Sequence, residues 1–319
     1  MVSLLLLFGA GLVAFANGAN ANFKGVASLY GSGTTSYRVA VWWANATTAM
    51  GSATALLVGT AMLKAFSGKG LVPDTLAGEP SFLLAVALGA GTTNLLATWL
   101  GFPVSTTHML IGALLGAGLV THPEGIHWQT LGNSFLAPLL VSPFLAVAVG
   151  ALLFGASKRM RLAPDHRTPV LDLLHFLSGG AVCFARGLND TPKIAALLIP
   201  VAWMGQKGGL LFAGGLIVLG GLIAARRVAE TLSHKITDLN PGEGFAANLA
   251  TSLLVTTASL HGLPVSTTHV SVGSLLGIGI STRQAKWKTV IPVLAAWVIT
   301  LPCAALVSAL FQAIAQSYF

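Results

Sequence analysis

Long runs of hydrophobic residues, separated by short polar breaks, extend over the whole chain. Runs of about 17–25 apolar residues are long enough to cross a bilayer as helices, which satisfy their own backbone hydrogen bonds in lipid. The pattern therefore predicts an all-α, polytopic membrane protein. We count ten such segments, near residues 2–17, 37–64, 81–100, 104–120, 133–155, 171–189, 209–225, 246–260, 265–281 and 289–315.

A charged segment, ASKRMRLAPDHRTPV (156–170), interrupts this pattern. Its two prolines and its lack of apolar periodicity predict a solvent-exposed linker. The linker divides the chain into an N-terminal unit, 1–155, and a C-terminal unit, 171–319, with five apolar segments each. An odd number of crossings makes the two units enter the membrane from opposite sides, so we expect an inverted-topology repeat.

Two motifs recur in the same order in both units. GFPVSTTH (101–108) returns as GLPVSTTH (262–269), and FANGANANFKGVA (15–27) aligns with FARGLNDTPKIAA (184–196). The shifts, 161 and 169 residues, are nearly equal, which indicates an internal duplication.

The octet GxPVSTTH is a poor start for a continuous membrane helix and a good start for a half-helix. Proline suits a first helical turn, and the free N–H groups and hydroxyls of that turn point beyond the helix end. Two such N-termini, on helices that are broken or re-entrant at the midplane, would form one cage for an anion. The alternative is that the hydroxyls bond to their own helices. The candidate anion-binding residues are Ser105, Thr106, Thr107, Ser266, Thr267 and Thr268.

The second motif supplies charge. Asn20 and Lys24, like Asn189 and Lys193, are four residues apart and so share one face of a helix. Ionisable groups within a membrane are costly and usually face a cavity or a partner, so these four residues are further anion-binding candidates. Snorkelling to the interface is the alternative for the lysines.

Coupling to protons would need a titratable group. Asp190 is the only acidic residue in either copy of the second motif, and Ala21 occupies the equivalent position in the first copy. His108 and His269 end the two octets and titrate near neutral pH when unperturbed. Asp190, His108 and His269 are therefore the coupling candidates.

Composition supports the membrane assignment. Only 8% of residues are charged, against roughly 25% in soluble domains, while 54% are hydrophobic. With a cytoplasmic linker, the positive-inside rule places eleven basic residues inside and three outside, so the net charge of +8 does not require nucleic-acid binding. The inside set is Arg38, Lys158, Arg159, Arg161, Arg167, Arg226, Arg227, Lys235, Arg283, Lys286 and Lys288; the outside set is Lys64, Lys69 and Lys207.

The residues present also limit the class of protein. No metal-ligand spacing and no nucleophile with a base can be assembled, so we expect neither an enzyme, nor a metal site, nor a cofactor. Short loops suit a bacterial inner membrane. Runs of small residues such as GALLGAGL permit helix association, so the sequence allows a homodimer.

The paired motifs resemble those of the inorganic phosphate transporter family, which includes sodium- or proton-driven phosphate symporters and bacterial sulfate permeases. The resemblance covers both units. It implies a secondary transporter whose central oxyanion and coupling-cation site is lined by the two Asn-Asp motifs and the two Ser-Thr-Thr motifs. Here it implicates Asn20, Asn189, Asp190 and the octet hydroxyls.

The sequence departs from the family pattern GANDVANA at Ala21, where an Asp is expected, and at Lys24 and Lys193, where each motif has a second Asn. Removing a carboxylate and adding two ammonium groups favours a dianion that carries no proton. We therefore expect a sulfate-permease-like member working by proton symport, since a lysine can occupy the place of sodium. The alternatives are a sodium- or proton-coupled phosphate symporter, with Ala21 as an engineered replacement of Asp, and an anion channel.

Overall fold

The computed structural model describes residues 2–68, 70–162, 166–234 and 240–318, and the regular elements within these ranges are helices. Lys69, Lys235 and residues 163–165 of the predicted linker lie outside the described residues.

Within the described ranges, five long helices lie in the first half of the chain and five in the second half. The first five are α1 (Val2–Ala21), α2 (Tyr37–Val58), α3 (Pro80–Leu100), α4 (Thr106–Thr121) and α5 (Ala137–Arg159). The second half contains α6 (Pro169–Ala195), α7 (Gly205–Ala224), a short α8 (Arg226–His234), α9 (Pro241–Leu260), α10 (Thr267–Ser281) and α11 (Trp287–Tyr318). The ten predicted segments correspond to the ten long helices; α8 was not predicted.

Short helical turns fill several of the connections. They are the 3₁₀ turns Asn22–Gly25, Pro123–Gly125 and Ala196–Leu198, the π-helical turn Leu131–Leu136 before α5, and the short helices Ala27–Gly31, Thr60–Ala65, Asp74–Ala77 and Trp128–Thr130. The first of these turns interrupts the α-helix directly after α1, within the repeated Asn motif.

Six helical segments in the described ranges are long and apolar enough to cross a membrane: Val2–Gly25, Pro80–Leu100, Trp128–Arg159, Pro169–Leu198, Gly205–Ala224 and Val290–Ser317. The other long helices, α2 and α9, are more polar. Helices α4 and α10 have 16 and 15 residues. At 1.5 Å per residue they are about 24 Å long, which is short of a hydrocarbon core of about 30 Å. The prediction of an all-helical, polytopic, duplicated membrane protein with broken helices is confirmed.

The two halves interlock. Helix α1 packs on α7 while its counterpart α6 packs on α2, and α4 packs on α11 while its counterpart α10 packs on α5. Each contact therefore occurs twice, related by exchange of the repeats. This arrangement brings both Asn motifs and both octets to the centre of the protein.

Glycines allow the closest of these crossings. A Cβ on Gly18 of α1 would overlap the carbonyl oxygen of Ile217 on α7, and a Cβ on Gly220 would overlap the carbonyl oxygen of Phe15. Small residues of this kind let membrane helices approach until their backbones touch.

The same crossing recurs between α6 and α2. Gly187 faces the carbonyl of Thr48, and Gly51 faces the carbonyl of Phe184. All four residues are displaced by 169 positions from their counterparts in the α1–α7 crossing, so the duplication extends to α2 and α7.

Each octet follows a helix that passes the centre and turns back. After α3, Gly101 adopts a left-handed conformation (φ 79°), and residues 102–105 lead back to the start of α4. Gly262 (φ 67°) makes the equivalent turn after α9. Positive φ at both positions explains why each octet begins with glycine.

One side of the bundle carries the linker. The Arg167 guanidinium binds the Asp172 carboxylate (2.8 Å) and the Gly33 carbonyl (2.9 Å), which ties the linker to the connection between α1 and α2. The hydrogen bond to Asp172 raises the pKa of Arg167.

We expect the Gly18→Ala variant to lose the α1–α7 contact, because its Cβ would overlap a backbone carbonyl that no side-chain rotation can move. Overpacking of this kind typically destabilises by about 1–3 kcal/mol. Thermal unfolding and monodispersity in detergent measure the loss. Gly215→Ala is the matched control, because a Cβ at this position of α7 meets nothing within 4 Å. Equal stability of the two variants would contradict the packing described here.

Candidate anion-binding site

The N-termini of α4 and α10 meet at the centre of the protein and bind one another. The Thr107 hydroxyl donates to the Val265 carbonyl (3.2 Å), and the Thr268 hydroxyl donates to the Val104 carbonyl (2.7 Å). The two bonds are related by the repeat. The second threonine of each octet therefore holds the extended segment of the other octet.

The serines of the octets cap the helices that they begin. Ser105 Oγ accepts the amide of His108, and Ser266 Oγ accepts the amide of His269, each at 3.2 Å. These are ordinary N-cap bonds. The serine oxygens are thus used locally, while their O–H groups remain able to donate.

Both predicted lysines reach the junction of the octets. Lys24 Nζ donates to the Val104 carbonyl (3.0 Å) and to the Thr268 hydroxyl. Lys193 Nζ donates to the Val265 carbonyl (2.9 Å) and to the Thr107 hydroxyl (2.8 Å). Each ammonium group therefore bridges the carbonyl of one octet and the threonine of the other. Both lysines are buried, with exposed fractions of 4% and 0%, so neither snorkels to the interface.

Asp190 is the acidic member of the site. Its carboxylate lies 3.4 Å from Lys193 Nζ and 3.6 Å from Arg186 Nε, and it accepts a hydrogen bond of 3.0 Å from the Asn17 amide. Ala21, its counterpart at the end of α1, is buried and carries no charge. The repeat thus places a carboxylate on one side of the centre only.

Arg186 is the site residue that the sequence analysis missed. Its guanidinium donates to the side-chain oxygens of Asn17 and Asn22 and is 1% exposed. Arg186 aligns with Asn17 at the repeat shift of 169, so the two equivalent positions contact each other across the centre. An arginine within an apolar span was the available signal, because such a residue faces the protein interior and a partner.

Positive charge exceeds negative charge at this centre. Three cations, Lys24, Lys193 and Arg186, surround the single carboxylate of Asp190, and all four side chains are buried. The centre therefore has an excess charge of two. Burying an unpaired charge costs several kcal/mol, so an arrangement of this kind favours a bound anion.

The two motif asparagines differ in their partners. Asn20 donates to Thr98 Oγ1 (3.0 Å) and to the Phe102 carbonyl (2.9 Å), and it accepts the Val104 amide (3.0 Å). Asn189 is completely buried, and neither its Nδ2 nor its Oδ1 has a hydrogen-bond partner. Buried amides are normally satisfied, so Asn189 offers both a donor and an acceptor to a ligand.

The first threonines of the octets are also buried. Thr106 Oγ1 accepts from the Asn17 amide (2.8 Å) and from the Asn94 amide (3.4 Å), which adds Asn94 of α3 to the site. Thr267, its counterpart, is 6% exposed.

The histidines that end the octets face each other. The ring centroids of His108 and His269 are 4.5 Å apart, and His269 stacks on Trp297 at 3.9 Å. Because the two residues are equivalent in the repeat, their contact lies on its pseudo-twofold axis. His108 Nδ1 and His269 Nε2 are buried without a hydrogen-bond partner. The described residues bring together no group of three or more His, Cys, Asp or Glu side chains able to hold a metal.

Comparison with known proteins identifies the family. The sequence profile of the phosphate transporter family matches residues 17–170 and again residues 159–308, so it covers most of the chain in two copies. The chain belongs to the phosphate transporter family. It is therefore a member of a family of transporters and not of enzymes.

Relatives agree with this assignment. A protein of Rhizobium meliloti (strain 1021), described as a "probable low-affinity inorganic phosphate transporter", is 33% identical over 249 residues, covering 72% of this chain and 73% of the relative. A protein of the same description from Mycobacterium bovis (strain ATCC BAA-935 / AF2122/97) is 26% identical over 92% of this chain and 73% of its own length. A solved structure named "The sodium-dependent phosphate transporter" matches all of both chains with a TM-score of 0.88 at 22% identity, which establishes the shared fold.

These findings correct the expected substrate. The preference for sulfate, and for a sulfate-permease-like member, was wrong, since the family profile and these relatives are those of phosphate transporters. The missing carboxylate at Ala21 removes an acceptor for a protonated anion, which is why the sequence favoured sulfate. The sequence does not reveal that Asn189 Oδ1 is buried and available to accept a hydrogen bond from such an anion.

We expect leucine to act differently at the two asparagines. In Asn20→Leu the buried Val104 amide loses its acceptor, which costs about 1–3 kcal/mol of stability. In Asn189→Leu no hydrogen bond is lost and an unsatisfied buried amide is removed, so stability is kept or raised. Thermal unfolding of both variants without added anion tests this difference. A larger loss in Asn189→Leu than in Asn20→Leu would contradict it.

Proposed function

We propose that this protein is a secondary transporter of inorganic phosphate and that phosphate binds at the centre, between the two octets. The carrying observation is the excess of two buried positive charges among Lys24, Lys193, Arg186 and Asp190. Divalent phosphate would compensate this excess. The family assignment and the descriptions of the relatives as phosphate transporters support the same substrate.

The chemistry of Asn189 supports phosphate in its protonated dianionic form. This anion accepts hydrogen bonds through three oxygens and donates one through its P–OH group. Lys24 supplies an ammonium donor, Lys193 supplies positive charge, Asn189 Nδ2 supplies an amide donor, and Asn189 Oδ1 supplies the acceptor for P–OH. A site built with a buried acceptor discriminates against an anion that lacks the hydrogen, because the acceptor would stay unpaired.

We further propose that transport does not need sodium. Unwound backbone carbonyls and hydroxyls near helix ends are the groups that coordinate sodium in many transporters with inverted repeats. Here the Val104 and Val265 carbonyls and the Thr268 and Thr107 hydroxyls already accept from lysine ammonium groups. The lysine ammonium groups thus occupy a set of oxygens that would suit a free sodium ion.

Protons are the proposed coupling ion in place of sodium. The Asp190 carboxylate is already paired with Lys193 and Arg186, which leaves the buried imidazoles of His108 and His269 as the more available of the predicted groups. Uptake then proceeds by alternating access, in which the two interlocked halves open the centre to each side in turn.

We propose a bacterial inner-membrane location with the linker in the cytoplasm. Helices α3 and α4 together return the chain to the side of the membrane where α3 began, and α9 and α10 do the same. The turns of the octets therefore do not change the side of any loop that carries Lys or Arg. The excess of eleven basic residues over three is therefore kept. The boundaries of the two units, 1–155 and 171–319, remain predictions. The homodimer also remains a prediction.

We expect Lys24→Met to weaken phosphate binding by about 30-fold, because a hydrogen bond to a charged group contributes about 2 kcal/mol. Lys193→Met should also weaken binding, because it removes a buried positive charge next to the proposed anion. Isothermal titration of the purified variants with phosphate in sodium-free buffer measures this. Lys207→Met, which changes an exposed lysine in the first turn of α7 outside both motifs, is the control and should bind as the wild type does. Unchanged affinity in both motif variants would contradict the proposed site.

Sodium dependence should appear only when the tethered cations are removed. The wild type should take up phosphate into proteoliposomes equally well in sodium and in choline. The double variant Lys24→Asn/Lys193→Asn, which frees the carbonyl and hydroxyl oxygens, should gain uptake on addition of sodium. Strict sodium dependence of the wild type would contradict the proposal.

A proton gradient should drive uptake. In sodium-free proteoliposomes, acid outside and alkaline inside should raise the initial rate of phosphate uptake several-fold over the rate without a gradient. His108→Gln/His269→Gln should bind phosphate but lose this acceleration. Acceleration of labelled phosphate uptake by unlabelled phosphate inside the vesicles separates a carrier from a channel, since a channel shows none.

A further inference from the structure

A cleft of about 950 Å³ opens on the surface between α3 and the junction of α7 and α8. Its α3 wall is an apolar stripe made of Leu95, Leu96 and Trp99, which are 39–64% exposed. Ile223 of α7 faces this stripe and is 66% exposed. The spacing of the α3 residues puts them on one helix face, so the wall runs along the helix axis.

Two arginines close one end of this cleft. Arg227 Nη1 donates to the Trp99 carbonyl (2.5 Å), and its guanidinium lies 5.7 Å from the Trp99 ring. The Arg226 guanidinium lies 6.0 Å from the Tyr37 ring. Contacts with aromatic rings hold both guanidinium groups in place at this end of the cleft. Glu230 is the acidic residue of the lining, so positive charge remains in excess there.

We propose that this cleft binds an anionic glycerophospholipid, with an acyl chain along the α3 stripe and the phosphodiester on Arg226 and Arg227. The apolar wall and the cationic end together match an amphipathic anion. Guanidinium groups bind phosphate oxygens in a bidentate manner. These arginines also belong to the set predicted to be cytoplasmic, on the side where anionic lipids attract basic residues.

The cleft adjoins the segment that carries the first octet. Thr98 lines the cleft, and its hydroxyl accepts the Asn20 amide at 3.0 Å. Gly101, the first residue of the octet, lies next to α8. A lipid on Arg227 therefore contacts the structure that positions Val104, the partner of Lys24. An effect of the bound lipid on transport would rest on the proposed function, whereas lipid binding itself does not.

Fluorescence quenching tests the binding. The full-length protein is placed in nanodiscs that contain a fixed fraction of brominated phosphatidylglycerol or brominated phosphatidylcholine. The contribution of Trp99 is the difference between the wild type and Trp99→Phe. We expect brominated phosphatidylglycerol to quench Trp99 at a several-fold lower mole fraction than brominated phosphatidylcholine does.

Charge variants assign this preference to the cleft. Arg226→Gln/Arg227→Gln should lower the preference for the anionic lipid at Trp99 at least fivefold, since one basic residue near an anionic surface accounts for about this factor. Arg38→Gln/Arg159→Gln is the matched control. It removes the same charge from exposed positions that do not line the cleft and that are predicted to lie on the same side. The control should keep the preference.

Several results would overturn the assignment. One is equal quenching of Trp99 by the two lipids, and another is an equal loss of preference in both double variants. Displacement of the brominated anionic lipid by millimolar inorganic phosphate would assign the arginines to free phosphate instead. Failure of the proposed function is separate, since it would abolish phosphate titration in the wild type without changing Trp99 quenching.

Discussion

The central constraint on this fold is the burial of three cationic side chains around one carboxylate. Lys24, Lys193 and Arg186 are withdrawn from water, where charge is costly unless it is paired or hydrogen-bonded. The broken helices supply the required partners, because the chain ahead of α4 and α10 exposes the Val104 and Val265 carbonyls that a continuous helix would have used. What the protein does not supply is enough negative charge. We propose that the transported anion supplies the missing negative charge.

The repeat gives this centre its geometry, and departures from the repeat make its two sides chemically different. The lysines, threonines and valines contact each other in equivalent pairs, so the two halves must stay in register for either ammonium group to be satisfied. Three equivalent positions carry different residues or different partners: Ala21 against Asp190, Asn17 against Arg186, and the saturated Asn20 against the unpaired Asn189. An anion bound at the proposed site would therefore contact two unlike sets of residues.

Much of the fold followed from the sequence, since apolar length, the charged linker and two duplicated motifs are local signals. The octets also predicted half-helices, because glycine, proline and capping serine act within a few residues. Arg186 was missed because its role depends on the rotation of α6 and on the reach of a long side chain to Asn17 and Asn22 of the other repeat. The substrate was assigned wrongly because the argument counted charges, whereas the buried acceptor of Asn189 becomes visible only when its neighbours are placed.

The most direct test of the account is a structure of the protein determined with phosphate and without sodium. The account predicts one tetrahedral anion between the Lys24 and Lys193 ammonium groups, within hydrogen-bond distance of Asn189, while both lysines keep their contacts with the octets. An anion bound elsewhere, or an empty centre with the lysines turned away from the octets, would contradict it.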